Sequence, residues 1–587
     1  ATKLSRRPGP PNHWSECWID VQGGLAMLAA GKPEQGLPLL QRSLLAAGEF
    51  EHPMTCVALL ELGKQAAMKG QHAEAARYFE EATYAAANAG DLGVLEEAFR
   101  CGAVNHLISN AKGIYPPLES AIAWAKMKDY RQLRASLLLA AAEQQAVRGA
   151  TPAAAALLEE CKLTVGRRRM GDGWIGARHR YLSALVLLQQ QKFPAAQEAL
   201  AGAMTYMQKG AHRLFHIGLV DRLFSSGRLT SRSAMDLFTL VLRDPQPTDW
   251  AFDPLESLAV LMAALPGPYE HWFEVALERK DFETAIEIAE RLRRRRFLTT
   301  LPLGGRVDSL RWILEGPPET LSPTARLQRQ NFLAAYPAYE QLSRQAQQIR
   351  QTLAAGPLAS EDSAVQQAQA KALEQLAQIS LLQEMLIYQM ALRREPSDLV
   401  FPPVKTIKEV LSSLPKGGAL LVFFSTSRSM YGFFLADGRY SYWQVKSPAG
   451  IAKLAQGLLR ELGHYEGNRE VSVKELADPK WKQTAQKFFS MLMEGSKADL
   501  TAVEELILVP DGWLWYVPFE AMPVKEAAAN QPWEPLILRM RIRYLPMASF
   551  AVPDGRGRRP SPKTAVVVGR LFPRDEDRVS QEAYEKL

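Results

Sequence analysis

Glu505-Leu-Ile-Leu-Val-Pro-Asp-Gly-Trp-Leu-Trp-Tyr-Val-Pro-Phe-Glu-Ala-Met-Pro-Val524 is the stretch on which the reading of this chain turns. Leu506-Ile-Leu-Val509 is apolar at every position, so the alternation of a strand with one wet face is missing. Such a run reads as a strand buried on both faces of an α/β sheet. Asp511-Gly512 behind Pro510 supplies a tight turn, and Trp513 and Phe519 are expected to anchor the returning chain in the core. Working outward, Ala419–Phe424, Met430–Leu435 and Tyr440–Val445 read as strands, the last two joined through Ala-Asp-Gly-Arg as a hairpin. Thr406–Leu414 reads as a short helix, and Thr564-Ala-Val-Val-Val-Gly569 as a further strand.

Upstream the texture is helical and repetitive. Gly63, Ala75, Phe79 and Ala82 stand at the small and large packing positions of a tetratricopeptide (TPR) helical hairpin. The same offsets recur as Gly24, Gly36, Leu40, Ser43; as Ala142, Ala154, Leu158, Cys161; as Ala184, Ala196, Leu200, Ala203; and around Ala285 and Ala289. Small residues let two helices of a hairpin approach, and the large residue fills the groove between them. Gly70-Gln71, Gly149-Ala-Thr-Pro152 and Lys192-Phe-Pro194 supply the turns. An array over 14–300 is predicted, preceded by a disordered tail over 1–13. A helical connector over 301–398 follows, with a hairpin broken at Ala354–Ser360 and the helix Gln366–Ile379 packed on the next domain.

The run Pro510–Phe519 and the later Tyr544-Leu-Pro-Met-Ala-Ser549 together resemble the CHAT domain, the caspase- and separase-like cysteine peptidase module that often follows TPR arrays. Asp281–Leu298 resembles the Glu-Arg-containing helix that ends the repeats in such proteins. The resemblance implies an α-solenoid, the helical connector, and an α/β caspase-like sheet domain of pseudo-peptidase type over 399–555. The peptidase subdomain and a tail would begin over 556–587. It makes Pro510, Asp511, Gly512, Trp513, Pro518, Phe519 and Pro546 structural motif residues; Met547 stands where the family usually has Ser.

In the family the catalytic His and Cys come on strands beyond this point, whereas the last His here is His464 and the last Cys is Cys161. No catalytic residue is therefore assigned, and the chain alone is expected to be inactive. The implied function is the sensing and pseudo-peptidase portion of a CHAT endopeptidase, activated by a bound partner, with a companion peptidase half. Similar bacterial proteins serve defence systems, some with repeats docked on a nucleoprotein effector complex. The alternative is a non-catalytic scaffold that uses the CHAT-like part for docking or dimerisation.

Among 587 residues, 47% are hydrophobic and 23% charged, and no stretch approaches the ~18 apolar residues of a membrane span. The start, Ala1-Thr-Lys-Leu, lacks Met and any apolar segment behind its basic residues, so it reads as trimmed and not as a secretory signal. Cys17, Cys56, Cys101 and Cys161 have neither metal nor disulfide-scaffold spacing and read as buried thiols of a cytoplasmic protein. The net charge of +7 is concentrated partly in Arg167–Arg169 and Arg293–Arg296, where a solvated or ion-paired helix face outweighs nucleic-acid contact. Partner contact is assigned to Lys64 and Met68, in a groove for a peptide or helix, and to Arg293 and Arg294. His212 and His216 share a helix face at the spacing of a metal half-site, but no third ligand is evident, so no metal is expected. No cofactor is expected either, since no Gly-rich loop with Lys cradles a phosphate.

Overall fold

The computed structural model describes residues 13–47, 52–109, 113–166, 169–357, 362–394, 404–463, 479–525 and 533–552. Residues 1–12 of the tail expected over 1–13, Arg167 and Arg168, the change of texture near 399, His464, and the expected strand Thr564–Gly569 lie outside these residues. The chain divides into two compact units, Ala1–Pro268 with Arg295–Phe401, and Tyr269–Arg294 with Pro402–Leu587. Residues 269–294 thus group with the sheet, whereas sequence alone assigned them to the array.

The first unit is helical. His13–Ala29 packs on Pro33–Ala47, Thr55–Met68 on His72–Ala89, Arg131–Val147 on Thr151–Val165, and Trp174–Gln189 on Phe193–Gly210. The spacing argument has a direct counterpart at Gly63, where an added Cβ would stand 2.7 Å from the Phe79 ring, and at Gly24, where it would meet Leu40 at 2.8 Å. Each hairpin closes the same way: a residue of positive φ, then a backbone N–H reaching five residues back. Gln71 reaches Ala66, Tyr130 reaches Ala125, Ala150 reaches Gln145 and Lys192 reaches Leu187, all at 2.9–3.0 Å. This is the Schellman closure, which satisfies carbonyls that a helix end leaves without partners. Glycine fills the left-handed position at Gly70 and Gly149, while Asp129 and Gln191 adopt it at φ 51 and 59, so those two turns carry no glycine signal.

The stretch Gln366–Ile379, expected to pack on the following domain, lies in helix Ser363–Leu392, whose C-terminal end joins the core of the helical array. The first half of this helix is largely exposed; its buried residues begin at Ile379, and Met385, Ile387, Tyr388, Met390, Ala391 and Leu392 share a core with Tyr181, Leu185 and Leu188. That end is fixed through its backbone. Tyr181 donates to the Leu392 carbonyl, Arg306 Nε to that of Ala391 at 2.7 Å, and Trp250 Nε1 to that of Arg393 at 2.8 Å.

The second unit holds strands β1 (Gly418–Ser425), β2 (Met430–Ala436), β3 (Arg439–Val445), β4 (Glu505–Val509) and β5 (Arg541–Tyr544) in the order β3-β2-β1-β4-β5. β1, β4 and β5 run parallel, and β2 and β3 form the antiparallel hairpin, with Asp437 and Gly438 both at positive φ as a type I′ turn requires. Ala419, Leu421 and Phe423 of β1 point into a core shared with helices Pro448–Glu461 and Lys480–Met493. The alternate residue Phe424 meets Phe273 at 4.7 Å on the other face. Both faces are covered, which is why β1 and β4 read as continuous apolar runs. β5 had no strand signal because Arg-Ile-Arg-Tyr is short and charged; Arg543 is held 2.5 Å from Glu505 of β4.

Candidate functional site

Within the helical unit a cavity of about 690 Å³ is walled by charged side chains from helices far apart in sequence. Lys64 comes from Thr55–Met68, Glu97 and Arg100 from Leu92–Ile108, Trp174 from the start of Trp174–Gln189, and His212, Arg213 and His216 from His212–Ser225. Asp249, Phe252, Asp253, Glu256 and Ser257 complete it. Glu97 receives Arg100 through both oxygens, at 2.7 and 2.6 Å, and Lys64 at 3.2 Å. Burial alone would raise the Glu97 carboxyl, but these two cations hold it well below the usual carboxylate range.

Across the cavity Glu256 accepts the backbone N–H groups of His212 at 2.8 Å and Arg213 at 3.2 Å, where a helix N-terminus favours negative charge. Burial nevertheless leaves its pKa above the ordinary value. Burial, with Arg243 alongside, pulls Arg213 down to about 10. Asp249 is taken by Arg243 through both oxygens, and Asp253 accepts the N–H of Glu256 at 3.2 Å. The carboxylates of the wall are thus engaged, while the His212 and His216 rings stand exposed at its rim.

Of the residues assigned to partner contact, Lys64 lines this cavity. Met68, at the end of the same helix and 40% exposed, is not part of the wall. Arg293 and Arg294 need correction as open-surface groups: both are buried, at 6% and 5% exposure, with Arg293 3.8 Å from Glu290. Arg295 is also buried, donates to the Ala263 carbonyl at 3.3 Å and lies 3.6 Å from Asp244. A run of arginines on a helix looks solvated in sequence because the packing that buries it, and for Arg295 the counter-charge Asp244, come from other segments. Among the described residues no group of three or more His, Cys, Asp or Glu has a metal-holding arrangement.

The sheet unit places the motif residues around the carboxyl ends of β1 and β4. Asp511 makes more than a turn. Its carboxylate accepts the Ser425 N–H at 2.6 Å, tying the end of β4 to the end of β1, while Gly512 takes φ +56. Phe519 is fully buried and stacks on Phe423 at 6.1 Å, Trp513 packs edge-on to Phe488 at 6.3 Å, Pro510 is buried, Pro518 is half-buried, and Pro546 is exposed.

Sequence treated the Glu-Arg helix and the Tyr544–Ser549 element separately, but they meet. Glu290 accepts both the N–H and the hydroxyl of Ser549, at 3.1 and 3.3 Å, and the same hydroxyl accepts the Lys405 N–H at 3.0 Å. Glu287 accepts the Ile407 N–H at 3.1 Å and Glu270 that of Ser427 at 2.9 Å. Three carboxylates of residues 269–294 therefore bind backbone of the sheet part. No sequence signal announces them, since a glutamate on a helix reads as solvent-facing.

Residues 482–584 match the family model of the CHAT domain; the match spans β4, Pro510–Phe519 and Tyr544–Ser549 and leaves the helical array outside it. No curated protein matches the chain.

Proposed function

We propose that this chain is the docking array and leading CHAT part of a caspase-like cysteine endopeptidase, in which a protein partner seats a segment of its own chain in the cavity bounded by Lys64, Arg100 and His216. The observation that carries the reading is that cavity, in a chain whose residues 482–584 match the CHAT domain. Its volume lies in the range of ligand pockets, roughly 300–1,000 Å³, but such pockets are mostly apolar. A wall of charged groups suits a polar peptide segment better than an apolar metabolite. Stacked helical hairpins of the TPR type also present concave surfaces to peptides.

No catalytic role falls to a residue of this chain. The matched residues contain neither His nor Cys, and the chemistry needs a thiolate activated by an imidazole. The buried thiols of the array are unsuited, since burial pushes Cys101 and Cys161 up to about 12. Nucleophile and base are assigned to a companion part, under control of the docked partner.

A photo-crosslinker placed at His216 in the native source tests this. The expected product is a covalent adduct with one protein, lost on Lys64→Glu, from cells in which the complex cleaves a protein substrate. A partner that binds with the same affinity after Lys64→Glu and after a bulky His216→Trp overturns the docking reading. A stable complex that never cleaves anything supports the scaffold instead.

A further inference from the structure

Beneath the charged cavity lies a recess of about 10 Å³, and Arg100, Trp174 and Asp253 line both. Arg178, Arg394 and Glu143 form the rest of its charged lining. Two of the three guanidinium groups are fully engaged. Arg394 binds Glu143 through two nitrogens and the carbonyls of Ala251 and Phe252 at 2.9 and 2.7 Å. Arg100 binds Glu97 and the Phe252 carbonyl. Arg178 is different. It is 6% exposed, its Nη1 makes a long bond of 3.4 Å to the Ser136 hydroxyl, and its Nη2 is buried with no acceptor among the described residues.

An unmet donor in a protein interior calls for an explanation, and an uncompensated charge there costs more than an unmet donor. Around the recess three guanidinium groups face two carboxylates, Glu143 and Asp253. Adding Lys64 and Glu97, which pair with Arg100's side of the site, leaves the same single excess positive charge. A trapped water would meet the donor and leave the charge. A carboxylate oxygen meets both, and a guanidinium fork matches a planar carboxylate. The recess has room for about one water-sized atom, so it takes one oxygen of a group reaching in from the cavity. A phosphate dianion would bring more charge than the site lacks, beside Glu143 and Asp253.

We infer that the cavity selects its partner by a carboxylate: an Asp or Glu side chain of the docked segment places one oxygen against Arg178, with Trp174 beside it. This rests on the docking reading above and adds the chemistry of the segment. The cost of keeping Arg178 buried and under-partnered is met on binding.

The test presents the immobilised full chain with pooled short peptides in pairs that differ only by Glu against Gln at one position, and counts recovered members by mass spectrometry. The Glu member is expected to be enriched about tenfold or more, the size of a charge-assisted hydrogen bond. Arg178→Met is expected to abolish the preference while leaving the melting temperature of the free chain unchanged or higher, because an apolar side chain replaces an under-partnered charge. Should that chain fail to fold, Arg178→Lys is expected to keep only part of the preference, and the wild-type comparison stands without any variant. Equal recovery of Glu and Gln members, lost on Lys64→Glu, overturns the carboxylate and keeps the docking site. Enrichment that survives Arg178→Met, or that inorganic phosphate displaces at constant ionic strength, also overturns it. No recovery of any peptide overturns both readings.

Discussion

Replacing Glu290 by Ala removes a buried carboxylate that ties residues 269–294 to the Ala548–Ala551 segment. Its carboxylate, 2% exposed, accepts two hydrogen bonds from Ser549 and lies 3.8 Å from Arg293, itself buried. Truncation leaves a buried N–H and hydroxyl to find other acceptors and strips Arg293 of this counter-charge. Removing one partner of a buried pair costs about 3–5 kcal/mol, and the orphaned Ser549 donors fall within the same order. Because a chain of this size need not unfold in one step, the assay is hydrogen exchange read by mass spectrometry on peptides covering 404–414 and 541–552. Protection there is expected to fall by two or more orders of magnitude while the hairpins of the array keep theirs. A loss below about 1 kcal/mol would refute the view that this carboxylate holds the element, since one exposed hydrogen bond is worth that much. Acidity adds a second readout. Burial raises the Glu290 pKa above its ordinary value, so between that value and the raised one the folded state keeps a proton that the unfolded chain has lost. Stability of this unit is therefore expected to fall as pH rises through that window, and Glu290→Gln to remove the slope.

Gly63→Ala forces a methyl group 2.7 Å from the Phe79 ring and is expected to lower stability by about 1–3 kcal/mol in thermal denaturation. Glu97 has the opposite linkage to Glu290: its folded pKa is depressed, so its contribution is present above the ordinary carboxylate range and lost as pH falls. Glu97→Gln should flatten the acid limb of a stability-against-pH curve. Asp511→Ala leaves the Ser425 N–H without its acceptor and should cost about 1–3 kcal/mol, whereas Asp511→Asn keeps an acceptor and should cost less; equal effects would deny the strand-end tie. Cys101 and Cys161, buried and raised to about 12, should resist iodoacetamide at mildly alkaline pH in the folded chain and react after unfolding.

Much of the local structure was legible because its causes are local. The small-large spacing of Gly63, Ala75, Phe79 and Ala82 is a property of one helical hairpin, and the structure shows the approach of Gly63 to Phe79 that it requires. The unbroken apolar runs of β1 and β4 report covered faces, and Asp437-Gly438 reports its hairpin turn. Asp129 and Gln191 were not legible as left-handed closures, because a non-glycine residue gives no sign that it will bear positive φ. That the end of the connector helix joins the core of the array was not legible, since an apolar stripe states that something covers it and not what.

What the sequence by itself determined was therefore periodic: helices with a packing face, strands with two covered faces, and the Pro-Asp-Gly and Tyr-Leu-Pro elements. What only the tertiary structure decided was the pairing of charges. Glu290 meets Ser549 across 259 positions, and Arg394 meets Glu143 across 251. Arg293 and Arg294, read as surface groups, are buried, and Arg178 stays under-partnered beneath a cavity that Lys64, Glu97 and His212 wall from separate helices. The physical reason is range. Hydrophobic periodicity repeats within a turn or two of chain and can be counted there, whereas a charged side chain is tolerated inside only if a counter-charge arrives, and its arrival depends on how distant segments pack.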